Sequence, residues 1–178
     1  MTQIYGVTGM PLSGKTTVAE IMEDQGYAVL DMGEVVRIEM KDRDIPTEQT
    51  GDFVNKMREL HGNDAIAQLS TPYLEEIMQA KEKIVITGMR SRDEKQRFEQ
   101  ETNEKIKVLT IWASRDTRKQ RREERQREED QVGDKFKERD QREIQNGVAE
   151  LIALSDHLIK NNNITEDKLE KKVKKICR

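Results

Sequence analysis

Apolar residues in this chain come in short unbroken runs, and between the runs they recur at helical spacing. The runs are Ile4 to Thr8, Tyr27 to Asp31, Lys83 to Thr87, Val108 to Ala113 and His157 to Lys160, and each reads as a strand. Ile84-Val85-Ile86 and Val108-Leu109-Thr110-Ile111-Trp112 are continuous rather than alternating, as in strands covered on both faces. Helical pattern separates each run from the next, so the connections are crossovers and the sheet is parallel. The pattern predicts an α/β domain with helices on both faces of its sheet.

Two long segments interrupt the alternation. In residues 32–82, Phe53, Met57 and Leu60 at i, i+4 and i+7 predict one helix. Gly62-Asn63-Asp64 breaks it, and Ile66, Leu69, Leu74 and Ile77 predict further helix. Residues 114–143 are almost entirely charged or polar, and Leu169, Val173 and Ile176 mark a closing helix that must dock on the sheet. With no repeat and no Pro/Gly/Ser linker, the organisation is one domain, with a core of 1–31, 83–113 and 156–178 and inserts at 32–82 and 114–143.

Composition narrows the class. The 178 residues suit one domain, and charged residues (38%) outnumber hydrophobic ones (34%), yet the net charge is only −3. Charges that cancel argue against a disordered chain and against the basic excess of a nucleic-acid binder. The single cysteine, Cys177, allows no internal disulfide, which fits a reducing compartment. The N-terminus shows no basic segment leading into an apolar core. No apolar run approaches the roughly 20 residues needed to cross a bilayer. The expectation is a cytoplasmic protein whose partner is a small molecule.

The chemistry starts at the end of the first strand. Gly9-x-x-x-x-Gly14-Lys15-Thr16 satisfies G-x-x-x-x-G-K-[ST] between a strand and a helix, the phosphate-binding P-loop context. Glycines let successive backbone N–H groups turn toward phosphate oxygens, and the helix start adds its dipole and unpaired donors. Lys15 is expected to bridge β and γ oxygens of ATP, and Thr16 to place its hydroxyl on Mg2+. Gly9, Met10, Pro11, Leu12, Ser13, Gly14, Lys15, Thr16 and Thr17 are therefore the cofactor-binding candidates; for Thr17 a buried helix hydroxyl is an equal reading. No Asn/Thr-Lys-x-Asp of a guanine-specific switch occurs, and the third strand ends in Thr87-Gly88 rather than in an acid.

A second group of motifs stands at the carboxyl ends of the strands, where open α/β sheets bind ligands. They are Met32-Gly33-Glu34-Val35-Val36-Arg37 and Gly88-Met89-Arg90-Ser91, followed later by Arg139-Asp140-x-Arg142-Glu143 and by Ser155-Asp156-His157-Leu158-Ile159-x-Asn161. With the P-loop they make the chain resemble the nucleoside-monophosphate-kinase group of P-loop proteins, most of all the archaeal adenylate-kinase-related family, which is also similar to dephospho-CoA kinases. The resemblance covers almost the full length. It implies a P-loop NTPase fold with a five-stranded parallel sheet, a helical acceptor-binding insert at 32–82 and an arginine-bearing lid at 114–143. It also implies phosphoryl transfer from ATP to a nucleotide-like acceptor. Two positions depart from the family: Thr87 stands where the related kinases often carry a magnesium-holding Asp, and Leu12 stands where glycine is common.

The remaining candidates follow from residues and resemblance together. Asp31 and Glu34 form a capping-box-like helix start, while the resemblance makes Asp31 the base that takes the acceptor proton; both readings stand. By resemblance Gly33, Arg37, Gly88, Arg90 and Arg142 bind the acceptor. Arg90 sits beside a second capping signal, Ser91-x-x-Glu94. Arg115, Arg118, Arg122 and Arg125 fall at helical spacing with Arg121 adjoining, and Glu123, Glu124, Glu128 and Glu129 lie mostly to the other sides. The stripe reads either as a solvated helix laced with salt bridges or as a lid held open by like charge and closed by phosphate; its interspersed glutamates and lack of aromatics count against a third reading, RNA binding. By resemblance Arg118 contacts ATP, Arg122 and Arg139 act catalytically, and Asn161 lies near adenine. His157 is expected to be packed, His61 to be no metal ligand, and Asp64 to be an ordinary helix-start acid.

Overall fold

A computed structural model describes residues 2–125 and 135–177. Five strands, β1 (Gln3–Thr8), β2 (Ala28–Asp31), β3 (Lys83–Thr87), β4 (Ile106–Trp112) and β5 (His157–Lys160), pair in parallel in the order β2-β3-β1-β4-β5. These are the expected strands, with ends shifted by no more than two residues.

Period-two alternation explains how unbroken apolar runs serve both faces. Ile4, Ile84 and Ile86 enter one core with Val35, Val36, Phe53, Ile66, Leu74 and Phe98. Tyr5, Val7, Val85, Leu109 and Ile111 enter the other with Val18, Met22, Leu169 and Val173. The first core is covered by α2 (Met32–Asp42), α3 (Thr50–His61), α4 (Ala65–Ala80) and α5 (Arg92–Thr102). The second is covered by α1 (Lys15–Glu23) and α9 (Glu166–Ile176). The closing helix docks as expected, through Leu169 and Val173. Leu60 departs from expectation. It is 65% exposed, while Phe53 and Met57 pack into the core. His157 packs beside Tyr5, with ring centroids 6.4 Å apart.

Parallel pairing fixes where the strand ends meet. Asp31 stands opposite Thr87 across β2 and β3, and Thr8 opposite Thr110 across β1 and β4. The P-loop, the start of α2 and the start of α5 therefore share one edge of the sheet. Between β4 and β5 run α6 (Arg115–Arg125), α7 (Lys135–Gln145) and α8 (Val148–Ala153). The middle of the expected lid, with Glu128 and Glu129, lies outside the described residues, as does the side chain of Arg125.

Candidate functional site

The P-loop joins β1 to α1. Gly9 has φ 149°, and a Cβ there would lie 2.3 Å from the Ile111 carbonyl, so no larger residue fits. Leu12, where the resemblance leads one to expect glycine, adopts φ 65°. The first helical bond runs from Val18 N–H to the Gly14 carbonyl, so the amides from Gly14 to Thr17 head the helix, while the Ser13 N–H turns back onto the Met10 carbonyl at 3.2 Å. Lys15 Nζ donates to the carbonyls of Gly9 (2.7 Å) and Met10 (2.9 Å) and so lies across the loop. Burial pushes its ammonium down to about 8; Glu143 opposes this, while Arg90, Arg139 and Arg118 add to it. Some Lys15 surface reaches solvent, but the charged end is enclosed by protein and by other cations.

Beside the loop lies a cavity of about 380 Å³, lined by Lys15, Thr16, Asp31, Gly88, Arg90 and Arg139 among others. Six residues picked from four separate motifs thus meet in one place. Thr87, Glu20 and Glu23 line it as well. Asp31 caps α2, its Oδ1 accepting from Gly33 N–H at 2.8 Å. The cap uses one oxygen, and Oδ2 lies 3.8 Å from Arg37 Nη2. Arg37, 51% exposed, is held by Glu34 through its Nε at 2.8 Å.

Arg90 is fixed from two sides. Its backbone N–H donates to Glu94 Oε2 at 2.6 Å, and its Nε donates to Glu143 Oε2 at 2.8 Å. Burial works against its charge, but Glu143 and Glu94 outweigh it and hold the guanidinium above its ordinary pKa. The capping box at Ser91 and Glu94 forms as the sequence predicts. Glu94 is 1% exposed, and burial raises its carboxyl above the usual range even though it accepts from two amides.

The arginine stripe is not splayed open by like charge. Arg118 forks onto Asp140, with Nη1 to Oδ1 at 2.7 Å and Nη2 to Oδ2 at 2.8 Å, and also reaches the Pro11 carbonyl. The guanidinium carbons of Arg115, Arg118 and Arg122 lie 5.7, 5.1 and 5.9 Å from the centroid of the Phe136 ring. Asp140 supplies counter-charge and Phe136 a π face, so α6 and α7 close on each other through cations. Of the expected arginines, Arg139 lines the cavity, Arg118 is buried on Asp140, and Arg142 extends from α7 toward Gly51 of the insert. Thr17 is partly buried on α1.

Three residues with site contacts have no individual role that the sequence assigns. Arg121 reaches the carbonyls of Leu12, Ser13 and Asn161. Glu143 pairs with Arg90, and Asp140 with Arg118. The signal is partly present: Arg139-Asp140-x-Arg142-Glu143 stands out as a unit, but nothing in its spacing says which base each acid pairs with. Asn161, a candidate, is buried and donates through Nδ2 to the Ser13 carbonyl at 2.8 Å.

The donors suit a magnesium polyphosphate. The exposed Thr16 hydroxyl and the carboxylate of Asp31 are hard oxygen ligands around the cavity. Among the described residues no group of three or more His, Cys, Asp or Glu could hold a metal by itself. Magnesium is commonly held by one or two protein oxygens plus phosphate and water, so this donor set fits it. The Ser13 hydroxyl, buried inside the loop with no hydrogen-bond partner, is an orphaned polar atom in the same cradle. No helix among the described residues is long and apolar enough to cross a membrane.

Comparison with known proteins agrees with this geometry. Residues 8–145 match the family described as AAA domain. A UPF0200 protein of Pyrococcus furiosus is 38% identical over 159 residues, covering 87% of this chain and 86% of that one. A UPF0200 protein of Pyrococcus horikoshii is 37% identical over 177 residues, 96% of this chain and 95% of its own. Among solved structures, a shikimate kinase from Acinetobacter baumannii in complex with shikimate superposes with a TM-score of 0.59 at 16% identity, covering 99% of this chain and 93% of that one. At that identity the likeness shows a shared fold.

Proposed function

The chain belongs to the AAA-domain P-loop family and to its UPF0200 members, and from that premise we propose that it is an ATP- and magnesium-dependent phosphotransferase. The acceptor is nucleotide-like: a nucleoside monophosphate such as AMP, or dephospho-CoA. The observation that carries this reading is the convergence of Lys15, Thr16, Asp31, Gly88, Arg90 and Arg139 on one cavity.

Phosphoryl transfer asks mainly for positioning and charge stabilisation. The P-loop amides and Lys15 would take the polyphosphate, and Lys15 would exchange its two carbonyl partners for phosphate oxygens. Magnesium, held through Thr16, would neutralise charge between phosphates. Arg37, Arg90 and Arg142 would hold the acceptor's own anionic group, for which the planar guanidinium fork is suited. Asp31 would cap and act as base together, since Oδ1 alone serves the cap and leaves Oδ2, 3.8 Å from Arg37 Nη2, to take the proton. Arg139 would add charge over the transferring group.

Labelled ATP offered with AMP, CMP, UMP, GMP and dephospho-CoA tests the proposal. One acceptor should accelerate ADP formation and carry the label itself. A second reading, a nucleotide-binding regulator or slow ATPase, is favoured by Thr87 standing in for the family's Asp. It predicts ADP release with no labelled acceptor across the whole panel.

A further inference from the structure

At the P-loop and the end of β5, α6 delivers one guanidinium to three backbone carbonyls. Arg121 Nη1 donates to Leu12 (3.0 Å) and Ser13 (3.1 Å), and Nη2 donates to Asn161 (2.8 Å). Asn161 Nδ2 donates to the same Ser13 carbonyl, so that oxygen is held by two donors from two elements. The cavity is lined by Arg90 and Arg139 but not by Arg121.

We propose that Arg121 is the positioning residue of the phosphate cradle, fixing the P-loop peptides so that their amides face a polyphosphate. The inference rests on the nucleotide-binding reading above. Its physical basis is peptide planarity: in a trans peptide the C=O of one residue and the N–H of the next point in opposite directions. Pinning the Ser13 carbonyl to Arg121 and Asn161 turns the Gly14 N–H away from them. Pinning the Leu12 carbonyl holds a non-glycine residue at φ 65°, a conformation that leucine resists.

Packing shows how tight the arrangement is. A Cβ on Gly14, itself at φ 104°, would lie 2.3 Å from Asn161 Nδ2 and 3.9 Å from Arg121 Nη1. Glycine at 14 therefore serves the strap as well as the anion. Position 12 of this P-loop carries leucine in a left-handed conformation that glycine would adopt freely, and Arg121 supplies from outside the restraint that Leu12 needs. A planar fork is required, because a lysine ammonium cannot span three carbonyls belonging to two loops.

The test is calorimetric Mg-ADP binding to wild type, Arg121→Lys and Arg121→Ala, with the Gly14 amide followed in 15N spectra. Wild type should bind and shift the Gly14 amide on binding. Arg121→Ala should bind roughly ten- to hundredfold more weakly, and Arg121→Lys at least about fivefold more weakly, despite its kept charge. Adenosine affinity should move little in either, since no phosphate is involved. Should Arg121→Ala not fold, Arg121→Lys alone decides. Wild-type affinity with an unchanged Gly14 amide in Arg121→Lys overturns the strap and leaves the nucleotide reading standing. A wild type that fails to bind Mg-ADP overturns both.

Discussion

Lys15 should take up a proton when a polyphosphate binds. In the free protein its ammonium titrates at about 8, against 10.5 for a free lysine, because it is buried among Arg90, Arg139 and Arg118 with Glu143 as partial relief. At pH 8 about half of the molecules then carry a neutral Lys15, at pH 7 about a tenth, and at pH 9 about nine-tenths. A bound diphosphate restores the charge, so Mg-ADP binding should absorb about 0.5 proton per site at pH 8. Mg-ADP itself is fully ionised there, and arginines do not titrate. Apparent affinity should fall about tenfold between pH 7 and pH 9, or about 1.4 kcal/mol. Calorimetry in buffers of differing ionisation enthalpy measures the uptake directly. Lys15→Met should show neither uptake nor this pH dependence, and it should lose turnover. Linkage gives a second reading. Since the folded pKa is lowered, the unfolded chain binds more protons between pH 8 and 10.5, and wild type should gain stability relative to Lys15→Met across that window, by on the order of 3 kcal/mol. Equal proton uptake in wild type and Lys15→Met, or none in wild type at pH 8, would refute the placement of this charge.

Asp31→Asn keeps the α2 cap, since asparagine caps as well as aspartate, but removes the base; transfer should fall about a hundredfold or more with melting temperature unchanged, and a fully active Asp31→Asn would reduce Asp31 to a cap. Glu143→Gln removes the carboxylate on Arg90 and the charge that raises Lys15. It should tighten binding of a phosphate-bearing acceptor by about three- to tenfold and increase proton uptake at pH 8, both visible in the same calorimeter. Glu94→Ala orphans the Arg90 and Ser91 amides and should cost about 2–4 kcal/mol in denaturant unfolding; a loss within about 0.5 kcal/mol would contradict the buried cap.

Much of this site was legible because it is local. Strand runs, the P-loop and the caps at Asp31 and Ser91 each depend on a few neighbouring residues whose spacing dictates backbone geometry. Parallel pairing then had to bring the strand ends together, which is why Lys15, Asp31, Gly88 and Arg90 could be named before they were seen in one cavity. The arginines of α6 were legible as a stripe but not in their roles. Arg118 and Asp140 are 22 positions apart, and Arg121 and Leu12 are 109 apart.

Sequence alone determined the sheet, its two covered faces and the turn that cradles phosphate, since apolar periodicity and glycine geometry act over one or two turns of chain. Tertiary structure alone decided which of many interchangeable acids neutralises each arginine, and that Arg121 grips backbone rather than facing the cavity. A charge can pair with any opposite charge that packing brings near, and that choice is made by the docking of α6 and α7 rather than by spacing along the chain.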